Sequence, residues 1–164
     1  MTLVAVIADT HLPRGARRLP DDCVRRLRRA ELIVHAGDLA SLAFLRELES
    51  IGPPVAAVCG NVDEPELKTL LPKEGVVEVA GARIGVVHVG GAAAGREARL
   101  AARFPSCDAV VYGHTHVPQV TRWQGVWILN PGSPTERRRA PARAMLELLL
   151  AHRRIRPRLV ELGT

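Results

Sequence analysis

Short apolar runs alternate with polar, helically spaced segments through the first half of the chain. Leu3–Ala8 is the first run and reads as a buried strand. The segment 20–30, PDDCVRRLRRA, has helical spacing, with Pro20 and two aspartates at its start and arginines in its later turns, as the helix dipole favours. Leu32–His35 is a second strand, and 41–50 a second helix with Ser41 as its cap. Val55–Cys59 is a third strand, followed by a short helix over 64–71. This βαβαβ order predicts parallel pairing and right-handed crossovers.

The pattern then changes. Val76–Ala80 and Arg83–His88 flank Gly81-Ala82 and predict a tight hairpin. A helix over 94–104 stops near Pro105, and Ala109–Tyr112 is a further strand. Val117–Trp123 and Val126–Leu129 flank Gln124-Gly125 as a second hairpin. Periodicity is ambiguous over 142–151, where ARAMLELLLA also suits a helix; a closing strand hairpin over 142–162 is favoured. The whole chain, 1–164, reads as a single domain of two packed sheets with outer helices.

Composition narrows this picture. Apolar residues make up 47% and aromatics only 3%, so the core must come from Val, Leu, Ile and Ala. The apolar run before Asp9 lacks a basic leader and is too short to span a membrane, which predicts a cytoplasmic protein. Cys23, Cys59 and Cys107 are far apart and odd in number, as buried free thiols would be, although Cys59 adjoins the Gly60-Asn61 turn. The net charge of +6 comes mainly from arginines in separate clusters, 14–18, 25–29 and 136–139. Few aromatics interleave with them, so a solvated surface is favoured over a nucleic-acid face. A basic rim would still steer a phosphate-bearing substrate.

The candidate chemistry follows the strand ends. Asp9 and His11 come after the first strand, Asp38 after the second and Asn61 after the third. His88 ends the run IGVVH, and His114 and His116 follow VVYG, two apart and able to face one target. Ligands of open α/β sheets bind at the carboxyl ends of the strands, so these residues should gather on one edge. Two carboxylates, an amide oxygen and four imidazoles suit divalent metals of borderline hardness. They are too many for one ion and suit two ions sharing a bridging carboxylate.

The order D9-x-H11, G37-D38, G60-N61, H88, G113-H114-x-H116 resembles the calcineurin-like metallophosphoesterase superfamily. The short length, G60-N-V-D63 and N130-P-G-S133 are similar to its small YfcE/Vps29-like branch. The resemblance spans residues 3 to about 162. It implies a four-layer αββα sandwich, two mixed sheets flanked by helices. It further implies that Asp9, His11, Asp38 and His116 hold one metal and that Asp38, Asn61, His88 and His114 hold the other. Two divalent ions per chain are expected, manganese foremost, with other transition metals able to fill the site. Asp38, Asn61 and His88 are expected to carry catalysis. The expected reaction is a phosphoesterase one, on diesters foremost, by attack of a metal-bridging hydroxide on phosphorus.

Two departures from the family pattern remove candidate proton donors. Many relatives carry His after the motif asparagine, where this chain has Val62; many read His-Gly-His where it has H88-V-G90. Good leaving groups should therefore be favoured, since a general acid is typically worth 10²–10⁴-fold. Asp63 reads foremost as a turn cap with action on substrate as the alternative, Arg14 as a loop arginine with phosphate contact as the alternative, and His35 as a core histidine that supports ligands without being one. His152 should be exposed. Asn130 and Ser133 form a turn that the resemblance puts beside the site, with a structural role foremost. The expected partner is a small phosphate ester, with no nucleic acid or membrane and with self-association into a dimer left open. Some members of the branch are non-catalytic scaffold subunits that bind proteins and have lost metal-site residues; the complete ligand set favours the enzyme.

Overall fold

The computed structural model describes residues 1–163. In chain order its elements are β1 (Thr2–Ile7), α1 (Asp21–Arg29), β2 (Leu32–His35), α2 (Leu42–Glu49), β3 (Val55–Ala57), α3 (Pro65–Leu70) and β4 (Glu74–Val79). They continue with β5 (Ala82–Val87), α4 (Arg96–Arg103), β6 (Ala109–Val111), β7 (Gln119–Trp123), β8 (Val126–Asn130), β9 (Arg143–Ala151) and β10 (Arg154–Leu162). Two five-stranded mixed sheets result, ordered β10-β9-β1-β2-β3 and β4-β5-β6-β8-β7. β1, β2 and β3 run parallel, as do β5, β6 and β8, while antiparallel neighbours complete each sheet.

The sheets face each other through Val4, Val6, Ile84, Val111, Leu146 and Leu148, all fully buried. Ile7 and Ile33 on the far side of the first sheet meet Leu27 of α1, Phe44 of α2 and Leu67 of α3. Val110 and Ile128 of the second sheet meet Leu100 of α4 and Phe104 beyond it. The order helices, sheet, sheet, helix is the expected α/β sandwich.

Several boundaries differ from the sequence expectation. The closing segment is a strand hairpin, and β9 shows why its periodicity was ambiguous. Met145 packs on the helix side of the sheet and Leu146, Leu148 and Leu150 in the inter-sheet layer, so both faces of β9 are buried and apolar residues run without alternation. Its one buried charge, Glu147, is held by Arg26 of α1 at 2.9 Å and by Arg158 of β10. The β4–β5 turn is Ala80-Gly81 rather than Gly81-Ala82, with φ of 50° and 78° at its two residues, the backbone a tight hairpin requires. β3 stops at Ala57 and β7 begins at Gln119, because the chain leaves the sheet early to form the loops beside the site.

Register is what aligns those loops. Ile7, His35 and Ala57 share one row of the first sheet. Val86, Val111 and Leu129 share one row of the second. The residues after each row therefore emerge along one edge of the sandwich.

Leu148 lies wholly within the inter-sheet layer. Leu148→Ala is expected to lower stability by about 2–5 kcal/mol in urea unfolding, through lost transfer energy and the residual cavity. A loss below about 1 kcal/mol would mean that the two sheets are not closely packed there.

Candidate metal centre

The sequence-predicted residues converge where the two sheets' strand ends meet. Asp9 Oδ1 faces Nε2 of His11 at 3.8 Å, of His88 at 3.8 Å and of His116 at 3.5 Å. Asp38 Oδ2 faces His88 Nε2 at 3.1 Å and His11 Nε2 at 3.6 Å. Asn61 Oδ1 lies 3.0 Å from His88 Nε2. Donor atoms of Asp9, His11 and His116 form one compact group, and those of Asp38, His88 and His114 another, each within 4.8 Å. Asp38 stands between them, in one group and facing His11 of the other.

Two of these donor atoms have no protein partner. Asp9 Oδ1 and His11 Nε2 are buried and have no hydrogen-bond partner. An unpaired buried carboxylate oxygen costs free energy unless a cation neutralises it. Among the described residues no lysine or arginine pairs with Asp9 or Asp38. The carboxylate, imidazole and amide set fits divalent cations of borderline hardness.

Neighbours fix the orientation of each donor. His88 Nδ1 lies 2.8 Å from the Ala36 carbonyl, which assigns the proton to that nitrogen and turns Nε2 inward. His116 Nδ1 lies 3.3 Å from the Glu136 carbonyl, with the same effect. Asp9 Oδ2 accepts the His114 N–H at 2.9 Å, and Asp38 Oδ1 accepts the Val62 N–H at 3.0 Å. Burial pushes the Asp38 carboxyl pKa up, but His88 and the Val62 N–H outweigh it and hold it below the ordinary value. For His88, burial disfavours the imidazolium, but Asp38 and Asp9 outweigh that and raise its pKa. Burial lowers the pKa of His116, aided by the charge on Arg138.

The backbone is bent to make this possible. Asp9, His11, Asp38, His114 and His116 have φ between 48° and 72°, the left-handed region that residues with a Cβ rarely adopt. Such positions cost on the order of 1–3 kcal/mol each and persist only where the surroundings over-determine them. Gly60 lets the third loop approach closely: a Cβ there would lie 2.1 Å from Asp38 Oδ1.

The remaining candidates brace these loops. Asp63 is buried and accepts N–H groups from Gly60 at 2.7 Å, Ala40 at 2.7 Å and Asp38 at 3.2 Å, tying the second loop to the third. Asn130 donates to the Gly113 carbonyl and to Thr115, and Ser133 donates to the Asp9 carbonyl. Arg14 is exposed and donates to Glu136 at 2.8 Å. His152 sits exposed in the β9–β10 turn.

Glu136 was not singled out in the sequence. It is buried, its Oε2 lies 3.7 Å from His116 Nδ1, and Arg14, Arg17 and Arg138 surround it. Two basic clusters distant in sequence thus converge on one carboxylate behind a candidate ligand. The only signal for it was a lone acid beginning the run E136-R-R-R139.

His35 lies behind the site, wholly buried. Its Nδ1 accepts the Gly37 N–H at 3.1 Å, so Nε2 carries the proton toward Thr10 Oγ1 at 3.0 Å. Burial, and then the charge on His88, lower its pKa to about 3.

A cleft of about 600 Å³ opens beside the centre, with Asn61, His88 and Cys59 among its lining residues. A larger groove of about 1050 Å³ runs along β9 and β10 and touches none of the candidate ligands.

The sequence profile of the calcineurin-like phosphoesterase superfamily domain matches residues 1–151. A probable metallophosphoesterase of Methanothermobacter thermautotrophicus is 36% identical over 135 residues, covering 81% of this chain and 77% of that protein. The phosphodiesterase MJ0936 of Methanocaldococcus jannaschii is 26% identical over 147 residues, covering 79% of this chain and 82% of that protein. Among solved structures, the zinc complex of Vps29 from Entamoeba histolytica aligns with a TM-score of 0.77 at 23% identity, covering 98% of this chain and 99% of that one. The fold is shared with the small branch named from the sequence motifs.

Two predictions follow from the packing around the site. Gly60→Ala should displace the Asp38 carboxylate and weaken divalent-ion affinity by at least about 10-fold, as read by metal analysis after dialysis. Wild-type affinity in that variant would show that Asp38 Oδ1 is not held where the geometry has it. His35 stays neutral in the fold while the unfolded chain takes up a proton near pH 6.5, so its contribution is complete above 6.5 and is lost as pH falls toward 3. Metal-free protein should lose about 2 kcal/mol from this residue between pH 7 and 5. Urea unfolding of His35→Gln should show a pH dependence flatter by that amount; an unchanged slope would mean His35 is protonated in the fold.

Proposed function

Because the chain belongs to the calcineurin-like phosphoesterase superfamily, we propose that it hydrolyses phosphate esters, phosphodiesters foremost, at a binuclear metal centre. The observation that carries this reading is the pair of orphaned buried donors, Asp9 Oδ1 and His11 Nε2, inside a cluster of carboxylates and imidazoles. In this reading Asp9, His11, Asp38 and His116 hold one divalent ion, and Asp38, Asn61, His88 and His114 hold the other. Manganese is the proposed metal. Two such ions lower the pKa of bound water and offset charge on the phosphoryl oxygens.

The chain's own residues do the rest. Asp38 supplies a carboxylate that reaches both groups, kept ionised by His88 and the Val62 N–H. His88 is locked by the Ala36 carbonyl, and His116 is backed by Glu136. Asn61 and His114 are more exposed and face the side from which an ester arrives.

No proton donor stands at the positions where many relatives carry histidine. Val62 is an exposed valine. Gly90 sits against the Tyr112 ring, where a Cβ would come within 2.9 Å of the ring carbon Cδ2. A leaving group that departs without help from an acid therefore suits this site. That favours aryl over alkyl esters; support for the diesterase reading comes from the likeness to a phosphodiesterase. A second reading, a protein-binding scaffold, is compatible with the Vps29-like fold. The complete donor set argues against it, since a scaffold does not need one.

Chelator-stripped protein should hydrolyse bis-p-nitrophenyl phosphate only after manganese is restored, and faster than it hydrolyses alkyl phosphomonoesters. Asp38→Asn should lower both metal uptake and this rate by about 100-fold or more. A fully active Asp38→Asn variant would refute the shared-carboxylate assignment. Inactivity with manganese and with other divalent ions would favour the scaffold.

A further inference from the structure

The cleft beside the candidate centre carries a charge excess that metal binding does not use. Lys68, Lys73, Arg99 and Arg103 line it together with Asn61 and His88. Lys68 lies on α3 and Lys73 in the segment just before β4. Arg99 and Arg103 lie four residues apart on α4 and so share a helix face. Two segments distant in sequence therefore bring their cations to one recess.

Little of that charge is neutralised. Arg103 pairs with Glu74 at 2.9 Å. Lys68 donates to the Asn61 carbonyl at 3.1 Å, which ties the ammonium to a candidate ligand without compensating it. Arg99 donates to the carbonyls of Gly90 at 2.9 Å and Ala92 at 2.6 Å, which fixes the guanidinium while leaving its charge. Lys73 has no hydrogen-bond or ion-pair partner among the described residues. Among the described residues no carboxylate and no Phe, Tyr or Trp lines the recess.

Lys68, Lys73, Arg99 and Arg103 are exposed, and like charges gathered around one concave cleft repel one another and attract an anion. Without an aromatic platform, recognition here rests on charge and hydrogen bonding rather than on stacking a base. Lysine and arginine together suit a phosphoryl group, the arginine as a fork and the lysine as a point charge. We infer that this cleft is a second anion subsite and that it selects phosphate esters carrying a further phosphoryl group. The phosphoesterase reading supplies the position of the first phosphoryl group, and the inference rests on it to that extent.

The test uses probes that cannot be hydrolysed, so turnover does not enter. The manganese-loaded full chain is titrated calorimetrically with propane-1,3-bisphosphonate and with propylphosphonate. The bisphosphonate is expected to bind at least about 10-fold more tightly, with a preference that shrinks as salt shortens the Debye length. Lys73→Glu, at a side chain with no protein partner, should reduce that preference below about threefold while leaving propylphosphonate affinity within about twofold. Equal affinity for the two probes in the wild type would overturn the inference. So would a preference that survives Lys73→Glu and Lys68→Ala together, since the metals would then be chelating both phosphonates. Either failure beside metal-dependent hydrolysis of bis-p-nitrophenyl phosphate would leave the phosphoesterase reading standing. A cation-dependent preference without any hydrolysis would remove that reading and keep the anion subsite.

Discussion

Asp9 and Asp38 bring two carboxylates into one buried space, and neither faces a lysine or arginine among the described residues. Their side-chain neighbours are imidazoles, and backbone N–H groups satisfy only one oxygen of each. Two buried anions so placed are unstable company unless cations share the space. The surroundings are arranged to hold them there all the same. Left-handed backbone at five of the candidate ligands turns side chains inward, and Asp63, Ser133 and Thr135 bind the loops that carry them. The sandwich supplies stiffness, because each loop leaves from a row of paired strand ends.

Charge is sorted in layers around that centre. The innermost layer is anionic and imidazole-rich. Behind it, Glu136 is a carboxylate held below its ordinary pKa: burial raises it, but Arg17 and the neighbouring positive charges outweigh that. The arginines that read as loose surface clusters in the sequence thus anchor a loop to His116. On the opposite side, the cleft cations are left largely without carboxylate partners. The same net charge of +6 therefore does two different things, structural on one flank and available to ligand on the other.

Much of this was legible in the sequence because the governing signals are local. Apolar runs ending in Asp, Asn or His mark strand ends, and strand ends of a parallel sheet share an edge. Asp9, His11, Asp38, Asn61, His88, His114 and His116 could be collected that way, and the structure brings them together. One feature was legible only against an ambiguous pattern and two were not legible, each for a physical reason. β9 is buried on both faces, which erases the period that separates strand from helix. Glu136 draws its character from Arg14 and Arg17, more than a hundred residues away, and nothing in E-R-R-R shows that its acid is buried. The cleft is assembled from Lys68, Lys73, Arg99 and Arg103, whose spacing within each segment is that of any solvated surface.

The contact between Gly90 and Tyr112 bears on how this chain could change over generations. Tyr112 is almost wholly buried, donates to Gln119, receives a hydrogen bond from Arg96 at 3.1 Å and lies beneath that arginine's guanidinium. A side chain at position 90 would enter the space its ring fills. A histidine there would need the Tyr112 ring or the local backbone to move, at the expense of that packing. A single substitution at position 90 would therefore disturb the fold before it could add a proton donor, and the glycine is committed to packing.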